Sequence, residues 1–378
     1  MKKNLRSLLA LVMLVLFGGR VFGAAQVTPL EIGAAAPNFD LPGVDGRNHT
    51  LHEYDKAGLL VVVFTCNHCP TAQAYEDRIK KLYADYKDKG VALVAISPNN
   101  PAAVRLDEQG YTDLGDSLPE MKIRAKDQDF QFPYLYDGDT QTVAHAYGCI
   151  ATPHVFIFDQ SRKLRYEGRI DDSQVREVHT HDAADAIEAL LAGKPVPVAR
   201  TRVFGCSTKW IEKSDAARKA VEKWNAEPVT LNTIDLAGVK DLSKNDTKNL
   251  RLVNIWATWC GPCVAELPDL NDLQRMYRRR GFELVTLSVD EPAKKDRALD
   301  FLKEKHIAAT NFLVTSDDHD ALANALDKEW PGPVPYTVLI APGGKILYRH
   351  TGQVDLLELR QAIVGFLGRT YANDPDRR

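Results

Sequence analysis

Two Cys-x-x-Cys motifs, each delivered by an apolar run, constrain this chain more than any other feature. The first reads Leu59-Leu-Val-Val-Val-Phe-Thr-Cys66-Asn-His-Cys69-Pro, the second Arg251-Leu-Val-Asn-Ile-Trp-Ala-Thr-Trp-Cys260-Gly-Pro-Cys263. The continuous β-branched run before Cys66 reads as a central strand buried on both faces. A strand that ends at two cysteines opening a helix is the working part of a thiol–disulfide centre. Its occurrence twice predicts two α/β domains in tandem, each a mixed sheet flanked by helices.

A chain of 378 residues has room for two such domains, each burying its own core. The order strand–CxxC–helix–strand–helices–x-Pro–strand–strand–helix repeats, with a Thr152-Pro153 step in the first copy and Val334-Pro335 in the second. We place a signal peptide at residues 1–23, a first domain at 28–210, a linker helix within 211–227 and a second domain at 228–370. Residues 101–127 read as a mostly helical insertion. The helix of the second copy is expected over Cys263–Arg280, kinked at Pro268.

Lys2, Lys3 and Arg6 precede an unbroken apolar run from Leu8 to Phe17, followed by small residues. The run is too short to span a bilayer and fits an export signal cut before Ala24. Membrane contact is expected only if that segment stays uncleaved. Export implies a compartment where disulfides persist, periplasmic or extracytoplasmic. With 44% hydrophobic and 26% charged residues the remainder is that of a soluble globular protein. A net charge of −3 gives no reason to expect a nucleic-acid partner.

The thiolate is the nucleophile in disulfide exchange, and a helix N-terminus favours it through unpaired N–H groups and the dipole. Cys260 is therefore expected to attack and Cys263 to resolve, with Pro262 harmless in the first turn. The same argument makes Cys66 the attacker and Cys69 the resolving residue. His68, if protonated beside the Cys66 thiolate, would stabilise the reduced form and make the first pair the stronger oxidant. Thr152-Pro153 and Val334-Pro335 are expected to be cis and to hold backbone beside the sulfurs for an incoming peptide. Glu266, one turn past Cys263, is placed to pass a proton to or from it, whereas the first copy has Ala72 there. Cys149 and Cys206 are left over, either buried singly or joined as an accessory disulfide. No metal and no cofactor are expected, because sulfur supplies the chemistry.

The second half, through Trp256–Pro268 and Pro331-Gly-Pro-Val-Pro335, resembles the TlpA/ResA-type extracytoplasmic thiol reductases. That resemblance implies Cys260 and Cys263 as the redox pair, Pro335 as the cis proline and Glu266 as the active-site carboxylate. The first half, through Ala36-Pro-Asn-Phe-Asp-Leu-Pro, Thr65-Cys-Asn-His-Cys-Pro70 and Gly168-Arg-Ile-Asp-Asp, resembles redoxins of the alkyl hydroperoxide reductase/thiol-specific antioxidant (AhpC/TSA) superfamily. It is similar to their CNHCP-bearing branch, whose members often end in a tail like Gly205–Trp210. Both resemblances imply thioredoxin folds. The peroxidase motif Pro-x-x-x-Thr-x-x-Cys is absent. Val61 stands four residues before Thr65, where the motif has proline; Cys66 occupies roughly the threonine's place, and Cys69 could then stand where a peroxidatic cysteine would.

The leading expectation is an exported oxidoreductase acting on protein thiols and disulfides, fed by an upstream thiol donor. A second reading makes the first domain an antioxidant peroxidase regenerated by the second. A third has Cys66, His68, Cys69 and His179 or His181 carrying Cu(I), which soft thiolates select.

Overall fold

A computed structural model describes residues 27–373. The export segment lies outside the described residues. A short hairpin, β1 (Asp40–Pro42) and β2 (Asn48–Thr50), opens the described chain, as its Gly, Pro and Asp spacing predicts. The first sheet follows, built from β3 (Leu59–Phe64), β4 (Val91–Ser97), β5 (Tyr134–Tyr136), β7 (His154–Phe158) and β8 (Leu164–Gly168). Its spatial order is β5-β4-β3-β7-β8, the first three parallel and the last two antiparallel to their neighbours. A separate ribbon pairs β6 (Ala151–Thr152) with β9 (Cys206–Ser207).

β3 alternates between two cores because successive side chains leave a strand on opposite faces. Leu59, Val61 and Val63 face α1 (Pro70–Tyr86) and α4 (Asp182–Leu191), while Leu60, Val62 and Phe64 face α3 (Thr142–Tyr147). Every residue of β3 is buried. The expected helical insertion is only partly helical. α2 spans Leu118–Asp127, but residues 109–117 are irregular and held by side-chain bonds described below.

α5 (Ser214–Asn225) connects to the second sheet, of order β10-β13-β12-β11-β14-β15. These are Asn232–Ile234, Thr310–Val314, Phe282–Ser288, Leu250–Trp256, Tyr336–Ile340 and Ile346–Thr351 in that spatial order. Its last five strands repeat the first sheet's pattern, three parallel then two antiparallel, so both halves are thioredoxin folds. The helices are α6 (Leu236–Lys244), α7 (Gly261–Tyr277), α8 (Lys295–Glu304), α9 (His319–Leu326) and α10 (Leu356–Leu367). α7 begins two residues earlier than the sequence suggests, at Gly261, and carries Pro268 inside it. Among the described residues no helix is long and apolar enough to cross a membrane.

Candidate active sites

Each half brings one cysteine to the first turn of the helix that follows its central strand. In the second half this is Cys260, the N-cap of α7, whose sulfur accepts from the Cys263 N–H at 3.3 Å. Cys260 and Cys263 are joined by a disulfide, and the Cys260 sulfur lies 3.6 Å from the Val334 carbonyl oxygen. Cys263 is wholly buried and Cys260 nearly so, whereas the neighbouring Trp259 is 60% exposed. The Val334–Pro335 peptide is cis, as expected. The loop before Cys260 is tied down by the buried Asp290, which accepts from the Thr258 N–H and hydroxyl and from Ser288.

Glu266 is buried one turn along α7. Its oxygens accept from Asn254 Nδ2 at 2.9 Å and from the Val354 N–H at 3.0 Å. Burial raises its pKa above the usual carboxylate range, outweighing those two bonds.

The first half uses a different register. α1 starts at Pro70, and its N-cap is Cys69, not Cys66. The Ala72 N–H points at the Cys69 sulfur, 3.5 Å away, and that sulfur lies 3.5 Å from the Thr152 carbonyl oxygen. Thr152–Pro153 is also cis. Cys69 thus stands toward its cis proline as Cys260 does toward Pro335. Cys66 sits one loop earlier, 3.1 Å from the Thr152 hydroxyl.

The shift has a local cause. The Asn67-His68 step is held by Asp116, whose Oδ1 accepts from the N–H groups of Asn67 (2.9 Å) and His68 (3.0 Å). Asp116 Oδ2 meets His68 Nδ1 at 2.5 Å and the Asn99 amide at 2.8 Å. Asn67 donates to the Gly115 carbonyl and accepts from Tyr134. These bonds keep Asn67 and His68 out of the helix and leave the next residue, Cys69, to cap it.

The electrostatics follow the geometry. Burial opposes ionisation of Cys69, but hydrogen bonds from Cys206 and Cys66, the His68 charge and the Ala72 N–H outweigh it. The Cys69 thiol is therefore held well below the ordinary thiol range. Burial, and next its hydrogen bond to Cys69, push Cys66 well above that range. His68 is raised although burial opposes its charge, because Asp116 lies against it; Asp116 is lowered by the same contact despite burial.

Several sequence expectations are corrected here. Cys66 does not cap the helix; Cys69 does. His68 is bound to Asp116, and its charge acts on Cys69 rather than on a Cys66 thiolate. Cys66 and Cys69 are both free thiols in this structure, as are Cys149 and Cys206. Cys149 and Cys206 are not joined to each other in this structure. Cys149 is buried against the Ala151 carbonyl and the Thr208 hydroxyl, its thiol pushed up to about 12 by burial, while Cys206 packs against Cys66 and Cys69.

The copper reading finds a different donor group from the one expected. Among the described residues the donors that converge are Cys66, His68 and Asp116. The Asp116 oxygens already take four hydrogen bonds, and neither Cys69 nor His179 nor His181 joins the group. Asp116 and Asn99 escaped the sequence reading because they lie 48 and 31 residues beyond His68 and Asn99's neighbours give no local signal.

The AhpC/TSA family model matches residues 32–167 and the Redoxin model residues 226–363. The thiol-disulfide oxidoreductase ResA of Geobacillus thermodenitrificans is 32% identical over 109 residues, 29% of this chain and 58% of that relative. The chain thus spans little more than half the length of that curated relative. Among solved structures, an uncharacterized conserved protein from Geobacillus kaustophilus is 38% identical, covering 48% of this chain and 92% of its own, with TM-score 0.43. A hypothetical protein from Sinorhizobium meliloti is 33% identical, covering 48% of this chain and 96% of its own, with TM-score 0.44. The first half thus matches the AhpC/TSA family and the second half the Redoxin family, two thioredoxin-like redoxin matches in tandem.

Proposed function

We propose that the protein is an exported, periplasmic or extracytoplasmic, thiol–disulfide oxidoreductase that exchanges disulfides with protein substrates through two CxxC centres. One observation carries this reading: each half sets a helix-capping cysteine, Cys69 or Cys260, about 3.5 Å from the carbonyl that precedes a cis proline. A nucleophilic sulfur beside the carbonyl that precedes a cis proline is what a peptide disulfide needs for attack and alignment, and in the first half a substrate reaches it when β9 leaves β6.

In the second centre Cys260 attacks a substrate disulfide, or receives electrons when oxidised, and Cys263 resolves the mixed disulfide. Glu266 passes the proton that Cys263 loses or gains. In the first, Cys69 attacks and Cys66 resolves. Stabilisation of the Cys69 thiolate favours the reduced state, so the Cys66–Cys69 pair has the higher potential. Electrons then run from an upstream thiol donor through Cys260/Cys263 toward Cys69. Trapping tests this: a Cys263→Ser variant and a Cys66→Ser/Cys206→Ser double variant should accumulate mixed disulfides with protein partners through Cys260 and Cys69. Recovery of neither adduct from an extracytoplasmic extract would defeat the proposal. Peptide mapping of the full chain across glutathione buffers checks the potentials, and an equal or reversed order refutes that part.

A thiol peroxidase reading of the first half has one observation in its favour. Cys66 hydrogen-bonds the Cys69 sulfur from the position of the peroxidase threonine, and His68 supplies the positive charge. Oxidation of reduced Cys69 by hydrogen peroxide, no faster than that of free cysteine, would remove it.

A further inference from the structure

The tail that closes the first half lies where the fold otherwise leaves an edge for a partner. β9 runs antiparallel to β6, with Cys206 directly opposite Thr152 and Ser207 opposite Ala151. At Gly205 (φ 150°) the backbones come so close that an added Cβ would stand 2.1 Å from the Thr152 carbonyl oxygen. The rest of the tail is anchored. The Thr208 hydroxyl donates to the Cys149 carbonyl at 3.0 Å, the Lys209 N–H to Asn99 at 2.8 Å, and Trp210 stacks on His145 at 4.0 Å. The Cys206 side chain is thereby set against Cys66 and Cys69. In the second half, among the described residues, no strand pairs with the segment before Pro335, and the sequence holds no third cysteine there.

We propose that Cys206 is an internal exchange partner of Cys69, carried by a strand of the chain itself that occupies the place of an incoming peptide. The inference rests on the reading that Cys66 and Cys69 cycle through a disulfide. From that disulfide, the Cys206 thiol gives up its proton and its sulfur attacks the Cys69 sulfur. The Cys69–Cys206 bond forms as the Cys66–Cys69 bond breaks. The electron pair leaves on the Cys66 sulfur, which takes up a proton. One disulfide and one thiol stand on each side, so no outside oxidant is consumed. The exchange moves the disulfide from the buried Cys66 to the half-buried Cys206, where another thiol can reach it. The first centre thus has its own relay, and its peptide edge is closed to substrates as long as β9 stays docked.

The test uses the full chain, as wild type and as Cys66→Ser, equilibrated with glutathione disulfide, alkylated and mapped by mass spectrometry. The expected result is a Cys69–Cys206 disulfide in more than half of Cys66→Ser molecules, and both Cys66–Cys69 and Cys69–Cys206 linkages in the wild type. Cys69 carrying glutathione beside an alkylated Cys206 would overturn this inference and leave the two-centre reading intact. A wild-type Cys69 found in no disulfide of any kind would overturn both. The wild-type map decides the question if the variant fails to fold.

Discussion

Asp116 serves the first centre twice, as the anchor of the Asn67-His68 loop and as the counter-charge of His68. Replacing it by asparagine leaves His68 buried without its partner, which costs about 3–5 kcal/mol for a buried pair. The same change weakens the positive field on Cys69, so its alkylation near pH 6 should slow severalfold. Iodoacetamide kinetics check this, and an unchanged rate would remove Asp116 from the mechanism. The pair also has a pH signature. The raised pKa of His68 gives stability that is complete below the ordinary imidazole value and lost as pH rises through its folded value. The lowered pKa of Asp116 gives stability that is complete above the ordinary carboxylate value and lost as pH falls through its folded value. The pair therefore contributes fully between about pH 4 and pH 6.5. Urea unfolding of wild type against His68→Gln should show a larger difference at pH 5.5 than at pH 9. An equal gap at both would contradict the assignment. In the second centre, Glu266→Gln removes a buried proton carrier, and reduction of Cys260–Cys263 should slow by about 100-fold. Stopped-flow reduction by dithiothreitol measures it, and the variant's rate should also lose its inflection above the usual carboxylate range.

At the scale of the element, β9 is the least conventional piece of the first half, and Gly205 is what allows it to dock. Gly205→Ala introduces both a strained φ and a collision with the Thr152 carbonyl. It should destabilise the docked tail by about 1–3 kcal/mol and make Cys206 alkylate faster. Equal Cys206 reactivity in variant and wild type would mean that β9 does not shield it. The central strands and their helices were readable, because Leu59–Phe64 is apolar on both faces and Ala74, Ile79, Leu82 and Tyr86 keep helical spacing. Thr152-Pro153 and Val334-Pro335 were readable from their repeated place before a strand. The cap of α1 was not. Cys66 and Cys69 are equally good candidates by local sequence, and the choice is made by Asp116, 47 residues beyond Cys69. β9 escaped for a similar reason, being two residues long and stable only against β6. The irregular stretch before α2 looked helical by composition, but its polar groups are spent on tertiary bonds such as Gly115 N–H to Glu120 and Asn67 to the Gly115 carbonyl.

Over the whole molecule, that stretch is also where the two halves meet. Tyr277 at the end of α7 donates to the Thr112 carbonyl at 2.7 Å, and Arg369 forks onto the buried Asp113. Arg360 of α10 faces Glu120 at 3.8 Å, and Arg275 reaches Asn225 at the end of α5. Residues Thr112 to Asp116 thus touch the second domain at one end and the His68 loop at the other. Arg369→Ala leaves Asp113 unpaired and should cost roughly 1–3 kcal/mol, discounted for the part of Arg369 that faces water. If the stretch couples the halves, the same variant slows alkylation of Cys69 although Arg369 lies in the other domain; a change in stability alone would limit it to a structural contact. The assignment on which all of this depends is that a helix-capping cysteine, Cys69 in the first half and Cys260 in the second, is the nucleophile. Labelling the fully reduced chain with iodoacetamide over a pH series, with each cysteine quantified by peptide mass spectrometry, tests it most directly. Cys69 and Cys260 should be modified first and at the lowest pH, with Cys66, Cys149 and Cys263 lagging. Cys66 labelling ahead of Cys69 would contradict the account.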